Sequence, residues 1–320
     1  MIRHHILHKT TYRYSEPVTF GLHRLVLRPR EGHNVTVIRH KLTILPKARL
    51  FWLTDLFGNN VALAEISEPS DMLEITNDAI IERLSWAEDS APTRKTRPSA
   101  VTLPVAYPHV ELPAVQGYLS AVYPDDQPAL AAWVAALPRD AGEMTALEMV
   151  ERMGRTIYTT IKYKRREEPG VQPPAGTLAL GTGSCRDLAV LMIEACRSLG
   201  IAARFASGYL DTTASAAGRG ATHAWVDVYL PDSGWTGYDP TIGEFVSRKH
   251  IALGVSAHPR GVMPVSGIYS GPPGSYLGMQ VSVSVRAVKI ESPHEEEEMF
   301  EEPPSPPRAS VASGTPIGRA

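Results

Sequence analysis

Three residue types that together can cleave an acyl bond occur in order along this chain, each at a point where the backbone changes element. Cys185 lies in Gly181-Thr182-Gly183-Ser184-Cys185-Arg186-Asp187-Leu188-Ala189, His223 in Thr222-His223-Ala224-Trp225, and Asp239 in Tyr238-Asp239-Pro240-Thr241. The glycine-rich turn before Cys185 opens onto a strongly helical segment. That puts the thiol at a helix start, where unpaired N–H groups and the positive end of the macrodipole favour thiolate over thiol. A nucleophile, a base and an orienting carboxylate are the set that covalent acyl transfer requires.

The hairpin between the last two residues can be tested against geometry. From Trp225 to Leu230 the residues alternate, with Trp225, Asp227 and Tyr229 on the His223 face and Ala224, Val226, Val228 and Leu230 on the other. Pro231-Asp232-Ser233-Gly234 reads as a turn, and Trp235 to Asp239 as the returning strand. An odd loop that sets Tyr229 opposite Trp235 brings Asp239 opposite Trp225, diagonal to His223 on the same face. An even loop sends Asp239 to the far face unless a bulge restores the register.

After Cys185, a stripe of Leu188, Ala189, Met192, Ala195, Cys196 and Leu199 shares the thiol's helix face, and Gly200 ends the helix. Cys196 lies 11 positions on, about 16 Å along a helix, too far for a disulfide. It is expected to be an inert core residue. Asp187, in the first turn, is expected to cap the helix.

The runs Gly-Ser-Cys-Arg-Asp-Leu-Ala, Thr-His-Ala-Trp-Val and Gly-Tyr-Asp-Pro-Thr-Ile-Gly resemble the core of the bacterial transglutaminase-like superfamily, cysteine enzymes with a papain-like fold. Thr11 to Val18, His23 to Arg30 and Asp55-Leu56-Phe57-Gly58-Asn59 resemble the β-rich domain that precedes this core in one branch of the family. Arg186 stands where relatives often have glutamine, and Ser184 where many have a larger apolar residue. The resemblance implies an α+β fold: a papain-like transglutaminase core, with the cysteine on a helix N-terminus packed on an antiparallel sheet, after an all-β N-terminal domain. It also implies catalytic roles for Cys185, His223 and Asp239, and no cofactor or metal. Its substrate would be a peptide or protein amide. The superfamily spans hydrolysis, transamidation and members that have lost activity. Hydrolysis by a cysteine peptidase or amidase is the favoured expectation, because transamidation needs a cleft that excludes water while admitting an amine. Transamidation of protein glutamine and an idle binding or scaffold module are the alternatives.

The organisation is expected to be a β-sandwich-like domain over 1–88, a proline-rich linker over 89–113, the catalytic domain over 114–290 and an acidic, proline-rich tail over 291–320. In the first region the strands read as Thr11 to Tyr14, Leu22 to Leu27, Val35 to Leu45, Phe51 to Leu53, Val61 to Ile66 and Leu73 to Leu84. Helices are expected at Pro128 to Leu137 and Thr145 to Tyr163, the second opened by a Thr145-Ala146-Leu147-Glu148 capping box. Lys164 to Ser184 reads as a long loop leading to the thiol, and Met279 to Val288 as a closing strand.

The formal net charge of −2 divides into −5 on 291–320 and +3 on the rest, too small and scattered an excess for a nucleic-acid partner. No segment is apolar and long enough to span a membrane, and no apolar leader follows Met1, so a cytoplasmic location is the default expectation. Tail composition predicts a solvated, disordered extension. His4, His5 and His8 lack the partners of a metal site and are expected to be solvated. Gly181-Thr182-Gly183 is weak as a phosphate loop. Trp225 and Trp235 could line a cleft or simply pack as core.

Overall fold

The computed structural model describes residues 2–83, 99–138, 144–166, 168, 170–210 and 222–288. The expected tail lies outside the described residues, as does the first part of the expected linker.

The amino-terminal third alternates apolar and polar residues between short turns and folds into strands accordingly: β1 (Ile2–Phe20), β2 (His23–Leu25), β3 (Val35–Leu45), β4 (Ala48–Thr54), β5 (Asn60–Ile66) and β6 (Ser70–Arg83). Next come α1 (Leu112–Leu119), α2 (Gln127–Ala135), α3 (Ala146–Thr160), β7 (Lys162–Tyr163), α4 (Pro174–Leu180), β8 (Thr182–Gly183) and α5 (Cys185–Ser198). The chain continues through β9 (Ala202–Leu210), β10 (His223–Leu230), β11 (Gly234–Asp239), β12 (Glu244–Phe245) and β13 (His250–Ser256). The last described elements are β14 (Val265–Ser266), β15 (Tyr269–Ser270) and β16 (Tyr276–Val288).

Two sheets form the amino-terminal part. One runs β15-β1-β6-β3 with β16 also on β1, and the other runs β14-β2-β5-β4. Tyr14, Val18, Phe20, Leu25, Ile66 and Leu73 fill the space between them. The core sheet is antiparallel, in the order β12-β11-β10-β9-β13. Its helix-facing side, with Ala224, Val226, Val228 and Tyr238, packs on α5 and α3.

β1 is much longer than its expected segment, because only its second half belongs to the sandwich. Ile6 in its first half joins Ile81, Val283, Tyr209 and Leu253, where the amino-terminal sheet rests on β9 and β13. That contact corrects the expectation for the histidines. His4 and His8 are buried, and His8 Nδ1 lies 2.9 Å from the Tyr209 hydroxyl. His5, on the alternate face, bonds Asp78 at 2.9 Å. Period-two geometry separates His5 from the other two.

The closing strand is present, but β16 pairs with β1 from Arg3↔Val288 to Tyr14↔Tyr276. It therefore belongs to the amino-terminal sheet and not to the core with which the sequence reading grouped it. Alternation identifies a strand without identifying its neighbour. Two helices, α1 and α4, occupy segments that read as linker end and loop. Each carries proline in its first turn, where no N–H is needed, so proline there starts a helix. Residues 99–107 are laid along the core: Val101, Leu103 and Val105 pack on it, and Ala202 N–H donates to the Tyr107 hydroxyl at 2.7 Å. The capping box at Thr145 and Glu148 is formed.

Candidate active site

α5 is buried around almost its whole circumference, from Cys185 to Arg197 with only Arg186 partly exposed, and not along one stripe as the apolar pattern suggested. Its polar residues therefore need partners, and they have them. Asp187, fully buried, accepts from the Ser184 N–H and hydroxyl at 2.8 Å each, from the Gln172 N–H at 2.8 Å and from Arg166 Nη1 at 2.8 Å. The carboxylate thus does more than cap the helix. It ties the Ser184 turn to the segment at 166–172 and fixes the backbone on which Cys185 sits. The parallel pairing of β7 with β8 holds the same turn from the other side.

The hairpin has the register that the triad reading demanded. Tyr229 pairs with Trp235 and Leu230 with Gly234, which leaves residues 231–233 as an odd loop. Val226 pairs with Tyr238, so Asp239, one step further, turns to the His223 face. His223 Nε2 donates to Asp239 Oδ2 at 2.6 Å, with both side chains fully buried. The other carboxylate oxygen accepts from the Thr241 N–H at 2.9 Å.

His223 Nδ1 has no completed hydrogen bond. Nδ1 is the nitrogen left for the Cys185 thiol, whose proximity joins Asp239 in favouring the charged ring. Such contacts are often loose in a free site and tighten with substrate. Burial opposes protonation of His223. The charge and hydrogen bond of Asp239, joined by Cys185, more than reverse that effect and raise the ring well above the ordinary imidazole value. Burial likewise opposes ionisation of Asp239, but His223 and then His250 draw it far below the usual carboxylate range. The three residues singled out in the sequence are therefore brought together.

His250 is the residue that sequence reasoning missed. It opens β13, is buried, and donates from Nε2 to the same Asp239 Oδ2 at 3.1 Å. Its Nδ1 accepts from the Ser247 N–H at 3.2 Å. A lone histidine after a turn gives no signal of this. The contact depends on two strands that never pair with each other, β11 and β13.

Trp225 lies edge-on to His250, with ring centroids 5.2 Å apart, and is buried with Ala206 and Val255. It roofs the polar cluster. Gly208, opposite His223 in the register, permits this approach, since a Cβ there would stand 2.1 Å from the Ile251 carbonyl oxygen and 2.6 Å from the Trp225 ring. Trp235 is elsewhere, stacked under the Arg204 guanidinium at 3.8 Å.

His223, Asp239 and His250 offer ligand atoms within 4.8 Å of one another, the one such group among the described residues. Both Nε2 atoms already donate to Oδ2, and the Ser247 N–H on Nδ1 keeps the His250 proton on Nε2. The lone pairs a cation needs are thus engaged, and the arrangement is that of a hydrogen-bonded carboxylate.

Comparison with known proteins agrees with this architecture. Residues 4–82 match the bacterial transglutaminase-like N-terminal region, and residues 135–240 match the transglutaminase-like superfamily. An uncharacterized protein of Mycobacterium leprae is 27% identical over 304 residues, covering 89% of this chain and 99% of its own. One of Mycobacterium tuberculosis is 29% identical over 295 residues, covering 88% and 92%. Among solved structures, a Cytophaga hutchinsonii protein described as a candidate cysteine protease superposes with a TM-score of 0.68 at 15% identity, over 91% of this chain and 92% of that one. That likeness is one of fold.

Proposed function

From the premise that the chain is a transglutaminase-like superfamily protein of thiol-enzyme type, we propose that it transfers acyl groups from amide substrates through Cys185, His223 and Asp239, with water as the favoured acceptor. The observation that carries this reading is the 2.6 Å bond from His223 Nε2 to Asp239 Oδ2, which leaves Nδ1 to the thiol at the start of α5.

In the resting site Asp239 holds the imidazolium, and the imidazolium is the counter-ion of the Cys185 thiolate. The thiolate adds to the amide carbonyl carbon, forming a C–S bond. The N–H of Cys185, at the start of α5, where a helix offers it no carbonyl partner, receives the developing oxyanion. Collapse breaks the C–N bond as His223 gives its proton to the departing amine, leaving a thioester and a neutral imidazole. That imidazole then takes a proton from water as its oxygen attacks the thioester. The C–S bond breaks, the acid is released and the ion pair is restored. An amine in place of the water would make the same half-reaction a transamidation.

The test is product analysis on a peptide library with rising primary amine. Acid product that barely changes at millimolar amine is expected, whereas saturable, near-complete capture by the amine would assign transamidation instead. Iodoacetamide separates both from the idle-scaffold reading. Failure to label Cys185 selectively over Cys196 in the native protein would sink the enzymatic reading.

A further inference from the structure

Asp239 Oδ2 accepts two imidazole protons, and the second comes from a residue outside the Cys185, His223 and Asp239 set. We propose that His250 is a positioning residue, which holds the Asp239 carboxylate in plane and moderates its grip on His223, and that the amino-terminal β-region sets its position by clamping β13. This rests on the reading of Cys185, His223 and Asp239 as the reacting set.

The geometry limits what His250 can be doing. With Ser247 N–H on its Nδ1, the ring is the neutral Nε2–H tautomer and can only donate to the carboxylate. Together with the Thr241 N–H on Oδ1, it gives Asp239 two fixed donors besides His223, which keep the carboxylate from rotating away from His223. Each donor also draws charge from the carboxylate and lowers its basicity. An imidazolium held by an undiluted buried carboxylate would release its proton to a leaving amine less readily. The groups around this unit are Cys185 on α5, Asp239 on β11, Trp225 on β10 and Arg83 on β6, with Tyr163 on β7 beside the thiol.

β13 is the outer strand of the core sheet, so its height is not set by pairing on both sides. The amino-terminal region supplies the missing side. Arg30 N–H donates to the Ala252 carbonyl at 2.8 Å. The Asn59 amide group donates to the Val255 carbonyl at 2.8 Å and accepts from its N–H at 2.9 Å, as a neighbouring strand would. Arg83, the last residue of β6, donates to the carbonyl of His250 itself. A clamp of three residues thus ends on the positioning histidine.

The experiment is the rate of Cys185 alkylation by iodoacetamide against pH in the full chain, comparing wild type with His250→Phe, His250→Gln and Asn59→Ala. An ion pair gives a plateau that rises to a second level when His223 loses its proton. His250→Phe, with a ring but no donor, is expected to move that upper step alkaline by roughly half a pH unit or more. His250→Gln, which can still donate, is expected to return it towards wild type, and Asn59→Ala to show a smaller shift in the same direction. If His250→Phe does not fold, His250→Asn, too short to reach Oδ2, is read in its place with the same expectation. A lower melting temperature with an unmoved step would make His250 merely structural and overturn the proposal. A moved step in His250→Phe with none in Asn59→Ala would overturn the clamp. Loss of the plateau in wild type itself would instead remove the underlying ion-pair reading.

Discussion

The first and last turns of α5 each bury a cysteine and an ion pair, yet their chemistry differs. At the last turn, Glu194 meets Arg197 at 2.7 Å and accepts from the Val122 and Tyr123 N–H groups, while Arg197 donates to the carbonyls of Tyr118, Ala203 and Ala257. Cys196 between them is sealed, and burial pushes its thiol up to about 12. At the first turn, the Arg166–Asp187 pair is spent on holding a turn, and Cys185, though also buried, lies beside His223, whose ring Asp239 raises well above the ordinary imidazole value against its burial. Burial alone makes a thiol inert. In the proposed function, a helix start and a charged base together are what make Cys185 a nucleophile.

Substitution of the two thiols should widen this contrast most. Cys185→Ala should lower amidase turnover by about a thousandfold or more and remove labelling, with the fold intact by circular dichroism. Residual turnover near wild type would relocate the chemistry.

Asp239→Asn tests the base. It should cost about 10²- to 10⁴-fold in turnover, since an amide cannot hold the imidazolium and can reverse the ring's tautomer. Stability should respond to pH with a defined sign. A raised histidine value contributes stability in full below the unfolded imidazole value of about 6.5 and loses it as pH rises through the folded value. The depressed Asp239 contributes above about 3.9 and loses its share as pH falls through its own folded value. The melting-temperature gap between wild type and Asp239→Asn should therefore be widest between about pH 4 and 6.5 and close on the alkaline side. A gap that is constant with pH would contradict the coupling.

The buried ion pairs offer a subtler comparison. Glu194→Ala should cost about 3–5 kcal/mol, because it strands the buried Arg197, and Asp187→Ala should cost less, because Arg166 is partly exposed and keeps Glu168 as a partner at 3.5 Å. Only Asp187→Ala should also slow Cys185 labelling in the fraction that remains folded, because Asp187, unlike Glu194, bonds the Ser184 turn. Equal slowing in both would mean that the two ends of α5 are not independent.

The smallest effect belongs to Cys196→Ala. It should leave turnover and labelling unchanged and lower stability by about 1 kcal/mol through a small cavity, measured by denaturant melts. Lost activity would show that the sealed thiol is no spectator.

Much of the site was legible in the sequence because its signals are local. A glycine turn before a helical stripe places Cys185. Alternation and a turn between two strands limit Asp239 to two faces. The motif runs also indicated both regions of the fold. Local patterns left the hairpin register open until Tyr229 met Trp235. They put Pro113 at the end of a linker and residues 174–180 in a loop, where helices start, and the apolar stripe of α5 hid a helix buried on all sides.

Sequence by itself determined the order of Cys185, His223 and Asp239, the type of element each begins or ends, and the β character of the amino-terminal region, because these follow from backbone sterics and from periodicities of two and 3.6. Tertiary structure alone decided that β16 joins β1, that Asp239 turns towards His223, and that His250 shares its carboxylate. Those are contacts between segments far apart along the chain. Their free energy comes from burying polar groups only where partners converge, and no local pattern encodes the convergence.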